Sequence, residues 1–444
     1  PILLLTGCVT TANGVQAEAA PGSAEAPIGA QASVARGPFV SAANPLAVEA
    51  GMRVLRRGGS AVDAAVAHCG IEDDRVVVQG FGAVGHTTVR HEKAITSQTR
   101  KPGITVSVKG SGFDAETAGL IGIADLTRLF PPVVDGAVMT HPLTAAAAIE
   151  IGLPAGVPVC LGYVDVICNA LGAGLYDPSP DVGCTIIGST GMHMRLVPSA
   201  DAVTLNREAT GYTMPFPVPG HYAQMQSNMA ATLNIDWMLD LACDLLAAEG
   251  VTRTRTELIL RLDDQVLRAR PGEVLFHPFI SDAGERGPFV SHEASAQFFG
   301  LRSRHRYGDL MRGVMEGLAF AARDCYAAIG ALPRDVRITG GAAKSRALGA
   351  ILGAALDCEV RICSRAEAGA AGAAMIAAVA IDAHPDMRAC AEQWVTPHLS
   401  APQSPDATLA KRYASIFPTY LDARLASRPV WKQLAALRAG DDHV

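Results

Sequence analysis

Charge is scarce in this 444-residue chain: Asp, Glu, Lys and Arg make up 18%, and 37 Lys+Arg stand against 43 Asp+Glu for a net charge of -6. Such a balance lacks the basic footprint of a nucleic-acid binder. Also lacking is an uninterrupted apolar run of the roughly 18 residues that a spanning helix needs. The longest Ala-rich stretches are broken by Gly, Asp or Glu, so no membrane span is expected. The ten cysteines contain no CxxC pair and form no Cys/His cluster of metal-ligand spacing. Their neighbours are mostly apolar, as in "VPVCLG" and "DVGCTII", so buried thiols in reducing surroundings are expected rather than disulfides or metal ligands. Apolar residues, by contrast, are plentiful at 49%. A chain this apolar and this weakly charged can bury enough surface to offset its ordering entropy, and its length suits two to four domains. The expectation is a globular, cytoplasmic protein that handles a small molecule.

The first 120 residues read as pieces of unlike character. Residues 1–35 hold a short apolar run and then a Pro/Ala/Gly/Ser stretch, like the tail of an export signal plus a linker. Leu5-Thr6-Gly7-Cys8 resembles the lipobox of bacterial lipoproteins, so export through Cys8 is the alternative to a cytoplasmic location, although neither an initiator Met nor a basic region precedes it. Residues 36–67 spell two short helices meeting at Gly58-Gly59, the first from about Pro45 to Arg57. This segment resembles the N-terminal part of the gamma-glutamyltranspeptidase family. That family needs a nucleophilic Thr freed by autocleavage; the nearest text here, His86-Thr87-Thr88-Val89, departs from its motif. Residues 75–90 place an apolar run, Val76 to Gln79, before Gly80-Phe81-Gly82-Ala83-Val84-Gly85. Strand then GxGxxG resembles the dinucleotide-binding turn of glutamate and leucine dehydrogenases. Lys109 stands where such a site would carry its ribose-binding acid.

From about Ile121 to Trp431 strand-like runs alternate with long Ala/Leu helices, the pattern of an α/β domain pair. "VPVCLGYVD", "GCTIIGST" and "DVRITGG" end apolar runs at Gly or Asp, while "NIDWMLDLACDLLAAE", "YGDLMRGVMEGLAFAARDCYAAI" and "RALGAILGAAL" carry helical periodicity. Four segments stand out where active sites of open α/β sheets gather, at strand ends. Asp165 follows one run and precedes a small-residue helix, where a carboxylate serves either as a helix cap or as a general base. Gly188-Ser189-Thr190-Gly191 closes a strand with small hydroxyl residues, either a plain turn or a cradle for phosphate oxygens. The third segment is Gly284-Glu285-Arg286-Gly287-Pro288. In the fourth, Gly340-Gly341 end a strand and Lys344-Ser345 begin a helix, which lets a nucleotide approach the backbone at a helix N-terminus.

In order and spacing, "LPAGVPVCLGYVD", "GERGPF", "LMRGVMEGLAFAARD", "TGGAAKSRALGAIL" and "EAGAAGAAMIAAVA" resemble the FGGY family of carbohydrate and polyol kinases over about residues 121–431. Within it, "LFPPVVDGAVMTHPLTAAAA" and "GSTGMHM" resemble its erythritol kinases. The resemblance implies an α/β, actin-like (ribonuclease H-like) fold of two domains with ATP and Mg2+ in the cleft, the remainder of the first domain at 121–195 and the second at 196–444. It implies Asp165 as the catalytic base, Gly188, Ser189 and Thr190 facing the γ-phosphate, and Gly284, Gly340, Gly341 and Ser345 contacting the nucleotide. A small sugar or polyol is the implied partner, in a possible homo-oligomer.

The departure is as specific as the match. The family's opening hairpin, with Asp-x-Gly-Thr/Ser, is not found before Ile121, so the first domain is expected to be incomplete. ATP-dependent phosphorylation of an erythritol-like hydroxyl is the expected function. The alternatives are an inactive nucleotide-binding remnant or chimaera, and a gamma-glutamyl transferase, which would cleave itself into two chains.

Overall fold

The computed structural model describes residues 135–441, except 146, 147, 150, 151, 178–180, 209 and 366. The readings of Cys8, of residues 36–67 and 75–90, and of Lys109 lie outside the described residues. The chain divides into two compact units, whose described parts are Asp135–Asp165 and residues 166–441.

The first unit is built on β1 (Thr140–Pro142) and β2 (Pro158–Cys160), antiparallel with Thr140 opposite Cys160. Leu143, Ala148 and Val157 bury a small apolar cluster beside them. Its ends are tied by the Tyr163 hydroxyl, which donates to Asp135 Oδ1 at 2.8 Å, and by the Gly162 N–H, which donates to the Gly136 carbonyl at 2.9 Å. That approach requires a glycine, since a Cβ on Gly136 would lie 1.8 Å from the Gly162 oxygen.

In chain order the remaining elements are α1 (Asp165–Gly172), β3 (Val182–Ile187), β4 (Gly191–Val197), β5 (Tyr212–Pro215), β6 (Tyr222–Asn228), α2 (Thr232–Ala248), α3 (Arg255–Ile259) and α4 (Leu262–Arg268). There follow β7 (Leu275–His277), β8 (Gln297–Phe299), α5 (Tyr307–Ala328), β9 (Asp335–Thr339), α6 (Arg346–Leu356), β10 (Glu359–Ile362), α7 (Ala368–Ala380), α8 (Met387–Trp394) and α9 (Ala407–Asp441). Six strands make one mixed sheet in the order β10-β9-β3-β4-β6-β5. β10, β9 and β3 run parallel, whereas β3, β4, β6 and β5 are joined antiparallel. This is the expected α/β fold of the actin-like, ribonuclease H-like type. The boundary expected between residues 195 and 196 falls inside β4, which is hydrogen-bonded to β3 on one side and β6 on the other.

Alternation along the strands decides what faces the core. In β9, Val336 and Ile338 enter the largest apolar cluster with α5 and α6, while Arg337 between them pairs with Asp177 at 2.7 Å. α5 is the central helix, and a Cβ at its Gly317 would lie 2.4 Å from the Phe276 carbonyl, so the glycine admits β7. Inside it, Arg312 donates to Glu316 at 2.7 Å; the Tyr413 hydroxyl of α9 and the Gly272 N–H also donate to that buried carboxylate. The pair is therefore fully partnered, the condition under which a buried ion pair is tolerated. Tyr413, Tyr420 and Trp431 then dock α9 by burying almost completely.

Candidate active site

Strand directions gather four strand ends, and the three turns at them, on one sheet edge. β3 and β9 are parallel neighbours with Ile186 opposite Thr339, so both end there. β4 begins at the same edge with Gly191 opposite Ile187, and β6 ends there with Asn228 opposite Gly191. The carboxyl end of parallel strands is where open α/β sheets bind ligands.

In the Gly188–Thr190 turn the Gly188 N–H donates to the Thr190 carbonyl at 3.1 Å. The Ala231 N–H donates to the Ser189 carbonyl at 2.7 Å, and the Thr232 N–H to the Gly188 carbonyl at 3.0 Å. The entry to α2 thus takes up both carbonyls, and the Ser189 and Thr190 side chains stay exposed. The positive end of the α2 dipole meets the same turn, a setting that favours an anion.

Gly340 and Gly341 do different jobs in the neighbouring turn. Gly340 has φ +97°, and a Cβ there would lie 2.5 Å from the Ile187 carbonyl oxygen, so it permits β9 to turn against the end of β3. Gly341 has nothing within 4 Å of where its Cβ would be, and it is exposed. That is the position with room for a bound group. Lys344 ends a one-turn 3-10 helix, Gly341–Lys344, and Ser345 is the N-cap of α6. The Ser345 hydroxyl accepts from the Leu348 N–H at 3.1 Å and donates to Asp263 at 2.5 Å. Its visible role is therefore to start α6 and tie it to α4.

Gly284 lies farther along. It has φ +74°, and a Cβ there would lie 2.1 Å from the Ser291 carbonyl oxygen, because Glu285 and Ser291 exchange main-chain hydrogen bonds at 2.8 and 3.0 Å. Its loop reaches the sheet edge through its neighbours. Asn228 Nδ2 donates to the Gly287 carbonyl at 2.8 Å, and the Met229 N–H donates to Glu285 Oε1 at 2.8 Å. Asp165 is exposed at the start of α1 and closes the first unit. The helix it heads packs on α7 through reciprocal glycines: a Cβ on Gly172 would lie 1.9 Å from the Ala368 oxygen, and one on Gly372 would lie 1.9 Å from the Cys168 oxygen.

Two buried groups sit beside these turns: His193, which the sequence did not mark, and Glu285, which lies in the third segment but was given no role there. His193 of β4 is 3.0 Å from Asn228 Oδ1 and 3.3 Å from Thr185 Oγ1, which in turn is 2.9 Å from the Tyr326 hydroxyl. One neutral tautomer satisfies every partner: Tyr326 donates to Thr185, Thr185 to His193 Nδ1, His193 Nε2 to Asn228, and Asn228 to Gly287. Burial holds the His193 pKa down at about 4, against the Asn228 hydrogen bond. Glu285, only 2% exposed, is the second. Burial pushes its pKa up to about 7, opposed by the N–H groups of Arg286, Met229 and Gly287. The charged Glu285-Arg286 pair within "FISDAGERGPF" is the local signal that marks its segment.

Among the described residues, no group of three or more His, Cys, Asp or Glu side chains is placed to hold a metal ion, and no helix is long and apolar enough to cross a membrane. Residues 183–381 match the C-terminal domain of the FGGY family of carbohydrate kinases. The chain is 51% identical over 324 residues to an erythritol kinase of Brucella abortus, covering 73% of this chain and 62% of that one. It is 28% identical over 331 residues to a xylulose kinase of Escherichia coli, covering 72% and 61%. Among solved structures, a gluconate kinase and a ligand-bound xylulose kinase, both from Lactobacillus acidophilus, share the fold, each with a TM-score of 0.62. Their identities are 19% and 20%; the first covers 73% of this chain, the second 72%, and each match spans 62% of the solved chain. The chain thus spans about three-fifths of the length of these relatives.

Proposed function

From a chain whose residues 183–381 form an FGGY carbohydrate-kinase C-terminal domain, we propose an ATP-dependent kinase that phosphorylates a hydroxyl of a small polyol, with erythritol the first candidate. The 51% identity to an erythritol kinase carries the choice of substrate. The turns on one sheet edge support the chemistry, which needs positioning and charge neutralisation more than covalent steps.

In this reading Gly188, Ser189 and Thr190 cradle the transferred phosphoryl group with exposed hydroxyls and the N-terminal dipole of α2. Gly341 leaves the open space in which a nucleotide approaches the backbone, Gly340 fixes that turn, and Ser345 and Gly284 shape the surrounding helix start and loop. Bound ATP supplies the phosphoryl group, and Mg2+ carried on its phosphates neutralises charge there, in keeping with a cation that is usually held through few protein ligands. Asp165 is the proposed base, taking the proton from the attacking hydroxyl. In this reading the second domain begins near residue 183, where the match to the FGGY C-terminal domain begins, rather than at 196. A cytoplasmic location fits the eight described cysteines, all thiols and seven of them buried. A homo-oligomer remains part of the proposal on family resemblance alone.

The test is ATP consumption with Mg2+ and a panel of erythritol, glycerol, xylulose and ribulose, run beside Asp165→Asn. Turnover on erythritol that falls roughly 10²- to 10⁴-fold in the variant is the expected result. A parent rate untouched by the substitution would remove Asp165 from the mechanism. ATP binding with no transfer to any acceptor would favour the second reading, a nucleotide-binding protein without kinase activity.

A further inference from the structure

A short relay of hydrogen bonds joins the loop after Gly284 to the Gly188–Thr190 turn. Glu285 Oε1 accepts from the N–H groups of Met229 at 2.8 Å, Arg286 at 2.8 Å and Gly287 at 3.4 Å. Met229 opens the segment that follows β6, and two residues on its N–H groups point the other way, from Ala231 to the Ser189 carbonyl and from Thr232 to the Gly188 carbonyl. Ser227 and Asn228, the last two residues of β6, brace the same segment. Arg286 donates to Ser227 Oγ at 3.2 and 2.6 Å, and Asn228 holds the Gly287 carbonyl. Glu285 is the one side-chain acceptor in this relay that receives the segment's own backbone.

Stability alone is a poor account of a carboxyl at this place. Glu285 is almost wholly buried, and its second oxygen, Oε2, has no hydrogen-bond partner among the described residues. An unsatisfied buried acceptor costs free energy, so a residue chosen only to fill the space would do better without it.

We propose that Glu285 is a positioning residue for phosphoryl transfer: by holding the Met229 N–H it sets residues 229–232, and through them the Gly188–Thr190 turn, in the geometry the phosphoryl group needs. The role rests on the kinase reading above. It involves no contact with substrate and predicts a loss in the transfer step rather than in polyol binding.

The experiment uses the full chain with Glu285→Ala and Glu285→Gln. Two quantities are read: amide hydrogen exchange over residues 186–193 and 228–233, with α5 as the internal control, and kcat and KM for erythritol. In Glu285→Ala, exchange at Ala231 and Thr232 rises by at least ~10-fold while α5 is unchanged, and kcat falls at least ~10-fold with erythritol KM moving less than ~2-fold. Glu285→Gln keeps the Oε1 acceptor and recovers most of both. Unchanged exchange at Ala231 and Thr232 in the alanine variant overturns the inference, as does a raised exchange with parental kcat. Should the alanine variant fail to fold, the glutamine variant decides, and lost protection there overturns the relay. An inactive parent overturns the kinase reading itself, a failure that the exchange data keep separate from a failure of the relay.

Discussion

At the residue scale, burial moves two kinds of titratable group in opposite directions. His193 and His277 are both held down at about 4, each chiefly by burial. Neutral burial of these rings stabilises the fold fully above the unfolded pKa near 6.5, and that stability is lost as pH falls towards 4. Glu285, raised to about 7, does the reverse: its contribution is complete below about 4.5 and is lost as pH rises through 7. Each shift corresponds to about 3 kcal/mol, so across these three groups alone acidification destabilises, two histidines against one glutamate. The measurable consequence is a difference of differences. Urea unfolding of the parent and of Glu285→Gln at pH 4.5, 6 and 7.5 should show the parent's relative stability declining by up to about 3 kcal/mol as pH rises. A gap that stays constant with pH would mean that Glu285 does not titrate in the folded protein over this range.

At the element scale, a single dipeptide separates a glycine needed by the fold from one with open space around it. Gly340 carries a positive φ and touches the end of β3, whereas Gly341 faces empty space. Gly340→Ala therefore should cost roughly 1–3 kcal/mol in unfolding free energy, because the chain must carry a side chain into the Ile187 carbonyl. Gly341→Ala should leave denaturant stability within about 0.5 kcal/mol and weaken ATP binding instead. Titration calorimetry beside urea melts distinguishes the two, and equal loss of stability in both would refute the division. The strands and helices around these glycines follow from local text. "CTII" is β-branched and becomes β3, "RALGAILGAAL" is α6 to the residue, and the periodic run after Tyr307 is α5. The antiparallel neighbours β4 and β6 were less legible. "GMHMRLV" and "YAQMQSN" mix polar and apolar residues because β4 puts His193 and β6 puts Asn228 into a buried polar chain rather than into solvent.

At the scale of the whole molecule, a nucleotide that binds the folded chain and not the unfolded one must raise its stability. ATP with Mg2+ at 100-fold over its dissociation constant contributes about 2.7 kcal/mol, roughly 3–5 °C in melting temperature for a chain of this size. A melting curve that ATP leaves in place would count against the nucleotide site at Gly188–Thr190 and Gly340–Gly341. By itself the sequence determined the α/β class, the glycine turns at strand ends and the resemblance to FGGY kinases, because each is written in short contiguous text with its own period or turn chemistry. Asp165 too was legible as a base candidate from local text, at the head of a small-residue helix. Only the tertiary structure decided that Gly340 is steric while Gly341 is open, that Ser345 spends its hydroxyl on Asp263 and the start of α6, and that Glu285 meets Met229. Those partners lie 82 and 56 residues apart in the chain. Hydrogen bonds between such distant residues depend on the order and direction of the strands that bring them together, which no local pattern encodes.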